Sequence, residues 1–249
     1  MKLTFTKYIF ATVFLFLISS SIQAQTFGFG CLGLSGFYVG ISQEYYDAKG
    51  INDFLNVKLF SNNSNQSSNP IKFEKGTGYR IGGNLFRAKF DKVFITAKGY
   101  YQFLKEEHST TELSSGSTLT SNHILSLNHW GVGVDFGVNL FWILDWKVIE
   151  GNVKFFSGDF TSEYSKDNVF QNDTKYSLDK TQIGYYVGSG LILQLVPDYI
   201  SIEGTAGFNF MKIDNLKSTD PLGNENFIRN AIPSGGFSAT IQLNVGFPL

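Results

Sequence analysis

Three histidines, His108, His123 and His129, lie close together in the chain, with Glu106, Glu107, Ser109 and Ser126 beside them. A hydroxyl nucleophile needs an imidazole as base and a carboxylate to orient it, so these residue types invite comparison with hydrolytic sites. The spacing does not support it. On one strand His123 and Ser126 point to opposite faces, and His108 and Glu106 share parity only where a strand gives way to a Ser/Thr-rich stretch. No catalytic residue is assigned, and these side chains read as polar rim and loop residues.

Metal and cofactor chemistry is equally thin. Asp167, Asn168 and Asp173, or Asp214, Asp220 and Glu225, offer oxygen ligands, but neither run has the spacing of a calcium loop. Cys31 is the single cysteine, so neither a disulfide nor a cysteine metal cluster can form within the chain. There is no glycine-rich phosphate loop, and no cofactor or metal site is expected. A net charge of -1 provides no basic footprint for nucleic acid.

A second set of residues is more orderly. Glu44, Arg80, Lys98, Asp135, Glu150, Lys154, Lys180 and Glu203 each fall on the polar side of a run in which every other residue is apolar. Such period-two runs are β-strands with two unlike faces. The clearest covers 237–247, where Phe237, Ala239, Ile241, Leu243, Val245 and Phe247 alternate with Ser, Thr, Gln, Asn and Gly. Seven more run over about 36–46, 76–87, 92–104, 129–140, 146–157, 180–195 and 199–213. The connections alternate between short turns and long polar stretches at 47–75, 105–121, 158–179 and 214–235, the first holding a flexible polar tract at 61–69. An even number of strands with alternating loop lengths is the pattern of an all-β, eight-stranded antiparallel up-and-down transmembrane β-barrel.

Whether the apolar face meets lipid or fills an interior is decided by three features. The polar faces are glycine-rich, as a narrow lumen requires. Their charges nearly balance, as buried ions must. On the apolar faces an aromatic recurs about eight to eleven residues from each short turn: Tyr45, Tyr79, Tyr101, Trp130, Phe155, Tyr185, Phe208 and Phe237. A tilted strand needs roughly 9 to 11 residues to cross the hydrocarbon, and aromatics gather at each interface. Phe37, Trp142, Trp146, Tyr199 and Phe247 supply a second girdle near the short turns, with Trp146 pointing inward by parity. Charged residues make up 16% of the chain, well below the roughly 25% of soluble domains.

The N-terminus has Lys2 and Lys7, an apolar run from Tyr8 to Ile18 and small residues up to Ala24. This is the anatomy of a secretory signal peptide, and the run is too short to span a membrane. The expected organisation is a cleaved signal over 1–24, an N-terminal periplasmic segment over 25–35, and a barrel over 36–247.

Over 36–247 the chain resembles the eight-stranded outer-membrane barrels of the OmpA transmembrane and OmpX type. Its signal end at Ala24 and Gln25 and its Asn- and Phe-rich composition look most like outer-membrane barrels of Bacteroidota. The resemblance implies location in a Gram-negative outer membrane, contact with membrane lipid and lipopolysaccharide, insertion by the barrel assembly machinery, and a structural or surface-interaction role through long extracellular loops that could meet an external ligand. The charged polar faces would form a paired lumen network. The rivals are a narrow, porin-like pore lined by those charges, and a lipid A-modifying enzyme that would use a histidine at the outer rim.

Overall fold

The computed structural model describes residues 36–62, 71–114, 116–197, 199–219 and 225–246. The expected signal peptide, the segment 25–35 with Cys31, most of the tract 61–69, and Phe247 lie outside the described residues.

Eleven strands and one helix follow in chain order: β1 (Gly36–Asp47), α1 (Lys49–Asn62), β2 (Lys75–Phe90), β3 (Val93–Ser114), β4 (Ser117–Phe141), β5 (Leu144–Lys166), β6 (Val169–Leu178), β7 (Gln182–Val196), β8 (Ile200–Phe210), β9 (Ile213–Thr219), β10 (Glu225–Ile232) and β11 (Ser234–Gly246). Eight of them close a ring, β1-β2-β3-β4-β5-β7-β8-β11 and back to β1, with every pair antiparallel. Closure leaves no sheet edge inside the ring, which is what a sheet needs in order to cross hydrocarbon. Alternation places Val39, Ile41, Ile81, Val132, Val134, Leu191, Ile241 and Leu243 on the outside, all exposed. In water such a surface would be strongly unfavourable; against acyl chains it costs nothing.

The polar connections are not loose loops. β3 and β4 run 22 and 25 residues and pair from Val93 with Val138 up to Ser114 with Ser117. Roughly 30 Å of this hairpin, from Lys105 to its tip, therefore stands beyond the ring at about 3.4 Å per residue. β5 continues upward beside β4 and turns into β6 through Asp167 and Asn168, whose positive φ values of 49° and 64° suit a two-residue hairpin turn. β9 and β10 form a further hairpin that joins β6 through Ser177 and Leu178.

The connection 47–75 holds α1. Asp47 caps it by accepting the Lys49 N–H at 3.1 Å, and Ile51, Phe54 and Leu55, spaced for one helix face, turn into the molecule. Its start lies so close to β10 that a β-carbon at Gly50 would stand 2.3 Å from the Asn230 carbonyl oxygen, so only glycine fits.

Candidate functional site

The ring's interior is packed with polar side chains arranged around two hubs. In the first, Glu44 accepts from Lys154 Nζ at 2.5 Å, Gln102 Nε2 at 3.0 Å and Asn209 Nδ2 at 2.7 Å. Arg80 Nε donates to Gln102 at 2.7 Å while its guanidinium lies 4.2 Å from the Tyr100 ring centre. In the second, Lys98 Nζ meets Asp135 at 3.1 Å and Glu150 at 2.5 Å, and Lys147 Nζ meets Asp135 at 2.9 Å, Glu150 at 3.1 Å and also Glu203. Nearer the short turns Asp145 receives Gln194 Nε2 at 2.9 Å, Asn139, and Arg87 at 3.7 Å. The acids Glu44, Asp135, Asp145, Glu150 and Glu203 thus stand against the bases Arg80, Arg87, Lys98, Lys147 and Lys154. Paired in this way, ions that would be prohibitive alone can be buried.

Aromatic rings fill what the ions leave. Tyr100 lies over Gly131, where a β-carbon would come within 2.2 Å of the ring, so the inward glycines make room for large neighbours. Phe94, Tyr38 and Tyr186 are buried in the same interior.

Of the eight charged residues expected to face the lumen, Glu44, Arg80, Lys98, Asp135, Glu150, Lys154 and Glu203 are buried there. Lys180 is not. It is exposed, just before β7 begins at Gln182, where the chain has not yet joined the ring. Lys147, which simple alternation points outward, is fully buried and is the most connected cation of the interior. The cause is a bulge: Phe136 pairs with Ile149 but Gly137 pairs with Lys147, so Val148 is an extra residue and parity flips below it. The same flip corrects Trp146, which alternation points inward and which is 41% exposed on the outer face.

The outward aromatics Tyr45, Tyr79, Trp130, Phe155, Tyr185, Phe208 and Phe237 are exposed. Tyr101 is half-buried on the same face beneath its edge contacts with Phe103 and Trp130, at 4.7 and 4.8 Å between ring centres.

Above the polar interior, on the long-hairpin side, sits a second core that is apolar. Ile51 and Leu55 of α1, Ile71 and Phe73 of the strap that follows it, and Leu216, Ile228, Ala231 and Ile232 of the β9–β10 hairpin pack onto Leu104, Leu125, Leu127, Phe156 and Phe160 of the wall. The polar composition of those connections conceals this cap over the barrel mouth. Two side chains fasten the strap. Asn52 donates to the Phe73 carbonyl at 3.0 Å and accepts its N–H at 2.8 Å. Glu106 accepts the N–H of Glu74 at 3.0 Å and of Lys75 at 2.9 Å, the Tyr46 hydroxyl at 2.7 Å, and His108 Nε2 at 3.0 Å.

The three histidines are therefore dispersed. His108 belongs to the strap latch, against Phe73; His123 is buried in the cap, stacked on Phe160; His129 is buried between Tyr100 and Phe156. Ser109 points outward and donates to Asn122 at 2.8 Å, away from His108. No histidine, serine and carboxylate converge among the described residues. On the outer surface above the aromatics, lysines pair with acids: Lys105 with Glu107 at 2.6 Å, Lys175 with Asp159 at 3.1 Å, and Lys212 with Asp214 at 2.6 Å. Hydrogen bonds from Lys105 and Asn122 hold the Glu107 carboxyl below its usual range.

No protein-family model matches the chain, and no curated protein matches it in sequence. Similar architecture is found among solved structures. Ail, the attachment invasion locus protein of Yersinia pestis, in complex with the heparin analogue sucrose octasulfate, is 9% identical, with 86% of this chain and 98% of that one covered and a TM-score of 0.40. Neisserial surface protein A is 13% identical, with 86% and 99% covered and a TM-score of 0.42. A major outer membrane protein of Thermus thermophilus is 10% identical, with 86% and 100% covered and a TM-score of 0.46. The closed ring of eight antiparallel strands and its apolar outer belt give this chain the architecture of an eight-stranded up-and-down β-barrel whose outer surface suits lipid.

Proposed function

We propose that the barrel is an anchor and pedestal, and that its work is done by the sheet it holds above the membrane. One observation carries this: the interior is filled by mutually paired ions and aromatic rings, and the outer mouth is filled again by an apolar cap. A conduit would keep at least one of these layers open. What remains available to the outside is the surface of β3, β4, β5 and β6, long, polar and supported from within. On this reading the outer belt contacts lipid and lipopolysaccharide, the assembly machinery inserts the strands, and the protruding hairpins meet a macromolecule outside the cell.

The narrow pore and the lipid A-modifying enzyme are the competing roles. Planar-bilayer recording on the folded full chain separates the first: no conductance steps are expected, and steps that change with Lys98→Met would overturn the filled-lumen reading. Expression in a host with unmodified lipid A separates the second. Its mass spectrum is expected to stay unchanged, and a shift abolished by His108→Ala would establish the enzyme instead.

A further inference from the structure

We infer that the inner face of the protruding sheet, just above the cap, is a binding face for an uncharged glycan that arrives from outside the cell. The inference rests on the surface-interaction reading and names the class of ligand.

Strand register defines the face. Leu125, Phe160 and Tyr176 stand side by side on β4, β5 and β6 and are buried in the cap. Alternation brings every second residue beyond them to the same side. Ser162 and Thr174 pair one step up, and Thr110, Ser121, Tyr164 and Asn172 follow across all four strands. None of the six is charged; Asn172 is exposed and the other five are half-buried. The upper row spans three inter-strand gaps of about 4.8 Å, and the two rows lie about 7 Å apart. Below them α1 provides a floor, where Phe54 meets the Tyr176 ring at 5.3 Å.

The two faces of this sheet differ in how their polar groups are used. On the outer face the side chains satisfy one another: Ser109 donates to Asn122, Asn122 donates to Glu107, and Lys105 and Lys175 pair with Glu107 and Asp159. On the inner face the six make no side-chain hydrogen bond, ion pair or ring contact among the described residues. Their hydrogen-bonding capacity is met by water, which a ligand of matching chemistry can replace.

That chemistry is specific. A polyanion needs cations, and the six offer none; a hydrocarbon needs an apolar surface. Five hydroxyls and one carboxamide can each donate and accept, and the Tyr164 ring adds a flat apolar surface with a polar rim. A pyranose ring is the complement, with hydroxyls around its edge and a face of C–H bonds that lies on an aromatic ring. The protruding sheet itself stands between this face and the lipid beside β3, β4 and β5, so the ligand approaches from outside rather than from the adjoining membrane.

The test uses the full chain folded in phospholipid nanodiscs. The probes are immobilised neutral oligosaccharides of hexose and N-acetylhexosamine units, with sulfated and sialylated ones beside them. Neutral probes are expected to retain the protein equally at low and high salt. Retention is expected to be about tenfold weaker for Tyr164→Ala and little changed for Tyr164→Phe, which keeps the ring. Hydrogen exchange along β4 and β5 serves as the control for folding of both variants. Nanodiscs that also contain long-chain lipopolysaccharide should bind the same probes; if its sugar chain displaces them, the ligand is the cell's own glycan and the external source falls. Retention by charged probes only, lost at high salt, would overturn the uncharged class, and neutral binding indifferent to Tyr164→Ala would overturn this face. Either result leaves the surface-interaction reading standing. Retention by no probe would overturn the inference outright.

Discussion

Glu106 accepts the backbone N–H of Lys75 at 2.9 Å, and this contact ends the ladder between β2 and β3. The same carboxylate takes the Glu74 N–H and the Tyr46 hydroxyl, so one side chain turns the chain inward over the mouth and leaves the upper half of β3 unpaired with β2. Glu106→Ala would strand two backbone donors and a hydroxyl. Each hydrogen bond lost at this partly exposed site costs about 0.5–1.5 kcal/mol. Hydrogen exchange over 71–75 is expected to accelerate about tenfold or more while β7, β8 and β11 keep their protection. Unchanged exchange in the strap would show that Asn52 alone fastens it.

Lys147 faces three carboxylates, Asp135, Glu150 and Glu203, and removing its charge leaves Asp135 and Glu150 to Lys98 and takes from Glu203 its one ion pair among the described residues. Breaking a buried pair by deleting one partner costs about 3–5 kcal/mol, because the remaining charge has no compensation. Lys147→Met is expected to lower the urea midpoint of the vesicle-inserted barrel, and Lys147→Met/Glu203→Gln to recover part of the loss. If the double variant is as unstable as the sum of the singles, the network is not coupled through this contact.

The ring is readable from the sequence because lipid and a polar interior impose opposite demands on neighbouring residues, and period two records them directly in stretches such as 130–140 and 237–245. Alternation misplaces Lys147 and Trp146 because a single extra residue, Val148, inverts parity, and nothing in WKVIEG marks the bulge. It misplaces Lys180 because the alternation begins before β7 does, at Gln182. Above the membrane the upper halves of β3 and β4 have polar residues on both faces, so alternation fades although pairing continues. The helix does leave a trace: Ile51, Phe54 and Leu55 have helical spacing directly after the capping Asp47, inside a connection whose Ser- and Asn-rich remainder masks it.

The cap predicts a local response to core truncation. Leu55 is fully buried between α1 and the wall, and Leu→Ala at such a site costs about 2–5 kcal/mol. Because the ring's own hydrogen bonds do not pass through α1, Leu55→Ala is expected to speed exchange in 49–57 and 71–75, with the lumen strands unaffected. Global loss of the barrel fold would show instead that cap and ring form one cooperative unit.

The outward placement of Trp146 gives the sharpest check on membrane position. Trp130 sits on β4 near the long-hairpin interface, Trp142 in the short turn between β4 and β5, and Trp146 four residues further on, on the lipid face, its Nε1 donating to Ser189 at 3.1 Å. In vesicles containing lipids brominated at defined depths, single-tryptophan variants should separate. Trp146 is expected to be quenched more strongly than Trp142 by bromines deeper in the acyl chain, and Trp130 by shallow bromines. A Trp146 that no brominated lipid quenches would return the ring to the lumen, and with it would fall the bulge at Val148 and the inward turn of Lys147 that depends on it.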